Sequence, residues 1–147
     1  MESEFYFRGM FMSLFIDIEF LLGDSLATLL VGENELKFNI LEYVNPKLML
    51  DGKITLVFNF LKRKNNTVFI KYKELLNDLR DYGSLRNDFA HKKITVNINN
   101  STLNFIVINN GNITNNTLTF QDLETKAKHL KEILRKLNLL QEELIII

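Results

Sequence analysis

The chain contains no cysteine, one proline and only two histidines in 147 residues. Without cysteine there can be no disulfide, no thiolate-held metal and no thiol nucleophile, so a reducing cytoplasm is the natural setting. The two histidines, His91 and His129, lie too far apart in sequence to suggest a metal site, so neither a metal nor another cofactor is expected. Glycine-rich phosphate loops and the Gly-x-Ser-x-Gly nucleophile elbow are also missing, which sets aside the nucleotide hydrolysis and serine-ester chemistry that need them. Long uncharged runs are lacking too. The greasiest stretch, Phe11 to Val31, is interrupted by Asp17, Glu19 and Asp24, whereas a membrane span needs about twenty nearly uncharged residues. The start, Met1-Glu2-Ser3-Glu4, has no positive charge and does not resemble a secretory signal. The Asn-x-Thr triplets at Asn65 and Asn112 then read as composition bias, not glycosylation sites.

Apolar residues make up 46% of the chain and twelve residues are phenylalanine, enough for one domain over residues 1–147 with a single core. Net charge is zero, but it is unevenly spread. Residues 1–50 carry three basic and eight acidic side chains, and residues 51–93 carry ten basic and five acidic. A positive middle segment suits a phosphate-bearing partner. It equally suits neutralisation against the acidic first third within the fold or a dimer.

Helical spacing dominates. Phe11, Phe15, Ile18, Leu22, Leu26 and Leu29 recur every three or four residues and predict a first helix over about residues 3–31, stopped by Gly32. Asn45-Pro46 has the chemistry of a helix start, predicting a second helix with Leu50, Ile54, Val57, Phe58 and Leu61 inward and Lys62-Arg63-Lys64 in its last turn. Phe69, Tyr72, Leu76, Leu79, Gly83, Arg86 and Ala90 predict one continuous third helix from about Thr67 to His91. The period then changes to alternation around Ile94 to Ile98 and Leu103 to Val107. With turns at Asn99–Thr102 and Asn109–Asn112, this predicts a two- or three-stranded antiparallel meander over residues 94–119. A last helix is expected near Thr119, capped by that hydroxyl with Asp122 three residues on. The expected fold is mainly α, an antiparallel helical bundle with the meander inserted before its last helix.

Arg86 is the odd member of the third seam. A guanidinium keeps its charge, so burying it is costly unless an anion meets it. That anion is either an internal carboxylate, with Asp17 and Glu19 on the first helix as the candidates, or the phosphate of a ligand. His91 follows five residues later. On an ideal helix the two side chains stand about 140° apart, so they converge only if the helix ends or bends between them, and the change to strand alternation at Ile94 predicts that it ends there, with His91 at its C-terminus. An arginine and an imidazole together can cleave RNA without metal. The imidazole moves a proton at the ribose 2′-OH or the leaving oxygen, and the guanidinium stabilises charge on the phosphorane. The competing reading makes His91 a cap on the last carbonyls.

The full string Arg86-Asn87-Asp88-Phe89-Ala90-His91 resembles the Arg-x(4–6)-His motif of HEPN domains, with a polar residue after the arginine and a small one before the histidine. The resemblance covers about residues 5–91. It implies a helical bundle whose motif helices meet across a two-fold axis, with Arg86 and His91 catalytic and Asn87 supporting. By the same token it implies a homodimeric, metal-independent endoribonuclease of a prokaryotic toxin–antitoxin or anti-phage system, with RNA and an antitoxin or regulatory protein as partners. Lys92 and Lys93 would grip the RNA backbone. One toxin branch continues His-x-Tyr. Lys93 stands at that tyrosine's position, so regulation through its modification is not expected. Some members of the family are non-catalytic regulatory or interaction modules, and a nucleotide-binding sensor is a third reading.

Overall fold

The computed structural model describes residues 2–146, with side chains from residue 4 onward. Its elements are α1 (Glu2–Val31), α2 (Leu36–Asn39), a π turn (Ile40–Val44), a 3-10 turn (Asn45–Lys47), α3 (Leu50–Lys64), α4 (Asn66–Asp81), α5 (Gly83–His91), β1 (Lys93–Asn97), β2 (Thr102–Asn109), β3 (Asn112–Thr119) and α6 (Phe120–Ile146). The protein is mainly helical, with a three-stranded antiparallel sheet of order β1-β2-β3 before the last helix. Among the described residues no helix is long and apolar enough to cross a membrane.

α1 is the axis of the bundle. Phe11, Phe15, Ile18, Leu22 and Leu26 are fully buried, each worth about 1.5–3 kcal/mol of transfer free energy. Over its second half Gly23, Ser25, Ala27 and Thr28 are buried as well, so the helix is enclosed on all sides there. Its first half keeps one open face. The helix ends at Gly32, which takes the left-handed conformation (φ 76°) and donates its N–H to the Thr28 carbonyl at 2.8 Å. This is the stop expected from the sequence.

Asn45-Pro46 does not start the second long helix. The pair opens a 3-10 turn closed by the Leu48 N–H on the Asn45 carbonyl, and α3 begins at Leu50 without a side-chain cap. Asn45 is instead buried against α1, where a Cβ on Gly23 would stand 2.6 Å from its amide nitrogen. The extended backbone of Leu48 (φ −98°, ψ 130°) resets the phase so that Leu50, Ile54, Val57 and Leu61 face inward. The cationic last turn of α3 is as expected, and Lys64 there donates to the Leu29 carbonyl of α1. Asn65 caps α4 by accepting the Val68 N–H at 3.1 Å.

The single helix expected from Thr67 to His91 is two helices joined at Tyr82. The Tyr82 N–H turns to the Leu79 carbonyl at 3.0 Å, and its ψ of −3° breaks the repeat. The cause is tertiary. α4 packs on α3 and α6, α5 packs on α1, and the Tyr82 hydroxyl is held 2.7 Å from His129 Nδ1 on α6.

The meander forms as the alternation predicted, with three strands. Ile94, Leu103 and Phe105 turn to the core, while β3 is exposed along almost its whole length. Asn110 and Gly111 both take positive φ (51° and 80°) between the paired residues Asn109 and Asn112, as a tight hairpin requires. The start of α6 also follows the sequence. The Thr119 hydroxyl accepts the Asp122 N–H at 3.0 Å, and the Asp122 carboxylate accepts the Thr119 N–H at 3.4 Å.

One feature of the expected bundle is corrected. Phe7 packs on Phe120 (ring centroids 5.0 Å apart) and Ser25 donates to Gln141 at 2.9 Å, so α1 and α6 run in the same direction. α4 runs against α6, with Lys71 paired to Glu143 and Asp78 beside His129. The bundle is therefore mixed, because the meander returns the chain to the end where α1 begins.

Candidate functional site

α5 carries the motif, and Phe89 fixes its orientation. The Phe89 ring is fully buried, stacked on Phe11 of α1 (4.5 Å, 12°) and edge-on to Phe105 of β2 (4.9 Å, 86°). With Phe89 as the inward direction, ideal geometry puts Arg86 about 60°, Ala90 about 100°, Asn87 about 160° and His91 about 200° around the helix, all in the same sense. Arg86 is therefore half-buried at the edge of an arc whose outer members, Asn87 and His91, are exposed.

The Arg86 side chain is 22% exposed, and its Nη2 lies 3.5 Å from Oε1 of Glu19. The internal carboxylate expected as one of two partners is thus present. It is long for a charge-assisted contact, which closes to about 2.7–2.9 Å. Arg86 Nε is buried with no hydrogen-bond partner, so the guanidinium retains donors aimed at nothing in the chain. Asp17, the other carboxylate considered, is exposed.

His91 is the last residue of α5. The helix neither ends nor bends between Arg86 and His91, so the convergence expected from the change of period at Ile94 does not occur within one chain: α5 stays regular through His91 and ends only after it. The two groups instead flank one open arc. Lys92 is bound elsewhere: its ammonium lies 2.6 Å from Asp88, on the opposite flank of α5. Lys93 opens β1 and is exposed.

The C-terminus of α5 is held by a residue the motif does not contain. Arg8 of α1 donates through Nη1 to the Phe89 carbonyl and through Nη2 to the Lys92 carbonyl at 2.8 Å, placing a cation where the helix dipole is negative. Arg8 is the only basic residue in α1. A lone arginine beside the Phe11–Phe15 seam is the signal that could have revealed it.

Glu19 stands at the edge of the open face of α1, to one side of Ile16 and Phe20, which are 59% and 64% exposed. Because Arg86 reaches this edge, the open arc of α5 continues the open face of α1. The result is one surface with apolar side chains from α1, a guanidinium–carboxylate pair at the seam, and Asn87 and His91 beyond it. Among the described residues no cluster of three or more His, Asp or Glu could hold a metal ion.

His129, the second histidine, belongs to another place. It lies between α4 and α6, where Nδ1 meets the Tyr82 hydroxyl and Nε2 is 3.9 Å from Asp78. Burial, with Asp78 adding to it, raises the Tyr82 phenol above its ordinary pKa of 10.0, and the hydroxyl shares a hydrogen bond with Nδ1. His129 thereby ties α6 to the joint that orients α5. Comparison with known proteins returned no matching family model, curated protein or solved structure.

Proposed function

We propose that this chain is a HEPN-like, metal-independent endoribonuclease of a prokaryotic toxin–antitoxin or anti-phage system, acting as a homodimer. The observation that carries the reading is Arg86. It is half-buried, has an unpartnered Nε, is only loosely held by Glu19, and shares one open helical arc with the exposed Asn87 and His91. A phosphate that meets the exposed part of the guanidinium supplies the close charge-assisted contact that Glu19, at 3.5 Å, does not. A single α5 separates Arg86 from His91 around its axis. Two copies facing each other through α5 and the apolar strip of α1 would bring the arginine of one chain to the histidine of the other.

In that cleft an RNA phosphate displaces the weak Glu19 contact and bonds to Arg86. One imidazole accepts the proton of the ribose 2′-OH as its oxygen attacks phosphorus. The P–O5′ bond breaks, the leaving oxygen takes a proton from the second imidazole, and a 2′,3′-cyclic phosphate remains. Arg86 stabilises the negative charge that builds on the phosphorane oxygens, and Asn87 orients the pair. Lys93 is exposed beside this path and suits backbone contact. Lys92, already bound to Asp88, contributes less.

Purified protein should cut single-stranded RNA in EDTA; His91→Ala should abolish the cutting and Arg86→Ala should lower it by about 10²-fold or more, both leaving the protein folded. The second reading, a non-catalytic interaction module, rests on the Arg86–Glu19 contact. If Glu19→Gln destabilises the fold as much as Arg86→Ala does, and varied RNAs survive intact, that reading replaces the first.

A further inference from the structure

We infer a second RNA-binding site, outside the motif, in the cavity between the first turns of α1 and the start of α6. This pocket would take one unstacked base of a single strand, with the neighbouring phosphates on Lys128 and Lys131. The inference rests on the RNA reading above for its substrate class but uses none of the motif residues.

The cavity has a volume of ≈ 330 Å³ and is walled by Tyr6, Phe7, Met10 and Phe120, with Glu124 and the two lysines at its rim. Its walls are aromatic. Tyr6 is 63% exposed and stands edge-on to Phe7 (5.4 Å, 71°), and Phe7 packs on Phe120. An exposed aromatic ring beside an open cavity offers the flat face on which a base stacks. The rim carries two cations, Lys128 and Lys131, against one carboxylate, Glu124. Lys128 and Lys131 are exposed and form no ion pair among the described residues. Glu124, the one carboxylate on the rim, can accept from the exocyclic amino group of a base, which favours adenine over uracil.

The pocket also lies at the right end of the molecule. Arg8 touches the C-terminus of α5, and the preceding residue, Phe7, touches the first residue of α6. The cavity and His91 therefore flank the same end of α1. Gly9, at this same end of α1, is exposed, and a Cβ there would meet nothing within 4 Å.

The test is binding of fluorescein-labelled 2′-O-methyl octaadenylate, which the 2′-OH chemistry cannot cut, to the full-length protein. Tyr6→Ala should weaken binding roughly tenfold. Lys128→Gln with Lys131→Gln should lower the steepness of log K against log salt by about 0.7 for each phosphate that is no longer neutralised. All three side chains are exposed, and unchanged melting temperatures would show that the fold is intact. Equal binding by wild type and Tyr6→Ala overturns the proposal. So does an affinity for phosphatidylglycerol vesicles that depends on Tyr6 in the absence of oligonucleotide binding. Tyr6-dependent binding by a protein that leaves ordinary RNA uncut would sink the nuclease and keep the pocket. Cutting that ignores Tyr6 and both lysines, with binding unchanged, would do the reverse.

Discussion

Arg86 and Arg8 are both arginines on the α1–α5 seam, yet the structure holds them differently. Arg8 is fully engaged, with two backbone carbonyls at the end of α5, so Arg8→Ala leaves those oxygens without a partner. Hydrogen bonds to charged groups contribute about 1.5–3 kcal/mol, and urea denaturation of Arg8→Ala should show a loss of about 2 kcal/mol. Arg86 is loosely held, and partly exposed ion pairs contribute about 1 kcal/mol or less. Arg86→Ala should therefore shift the urea midpoint little, while RNA cleavage falls by about 10²-fold or more. The sequence singled out Arg86 because its charge interrupts an apolar seam. It was silent on Arg8, whose duty depends on where the end of another helix, some eighty positions away, comes to rest. Glu19 was legible as one of two candidate carboxylates. Asp17 dropped out because its position on α1 faces solvent.

At the scale of elements, features with purely local chemistry were readable: Gly32 after α1, the cationic turn of α3, the Thr119–Asp122 box and the alternation of β1 and β2. The break at Tyr82 was not, because the apolar spacing runs through it undisturbed from Phe69 to Ala90. What divides α4 from α5 is that each packs on a different neighbour, with the Tyr82–His129 bond pinning the joint. Gly83 is not the cause, since its φ is not positive and a Cβ there would meet nothing within 4 Å. Gly83→Ala should accordingly stabilise the protein by about 0.5–1 kcal/mol, read as a raised thermal midpoint with RNA cleavage retained. A loss of stability would show that the glycine itself makes the break. Asn45-Pro46 misled for a similar reason. Its local chemistry suits a helix start, but tertiary contact with Gly23 draws Asn45 inward and delays α3 until Leu50.

For the molecule as a whole, two tyrosines link the helical layers to pH. Burial raises both Tyr72 and Tyr82 above the ordinary phenol value of 10.0. A raised folded-state pKa means stability that is fully present below the unfolded value and lost as pH rises through the folded one. Chemical denaturation should thus show a decline above about pH 10, reduced but not removed in Tyr82→Phe. The larger question is how one chain becomes a cleft. α1 leaves Ile16 and Phe20 exposed beside Arg86, and α5 runs unbroken to His91, so one copy does not bring guanidinium and imidazole to a common point. In the proposed homodimer a partner copy would supply the missing geometry, against the face of α1 where Ile16 and Phe20 are exposed.

The most direct measurement is the chemistry of the RNA ends. Wild-type protein incubated with a defined single-stranded RNA in EDTA should leave 2′,3′-cyclic phosphates, detected by mass spectrometry, and His91→Ala should leave none. Intact RNA, or identical products from His91→Ala, would contradict the account.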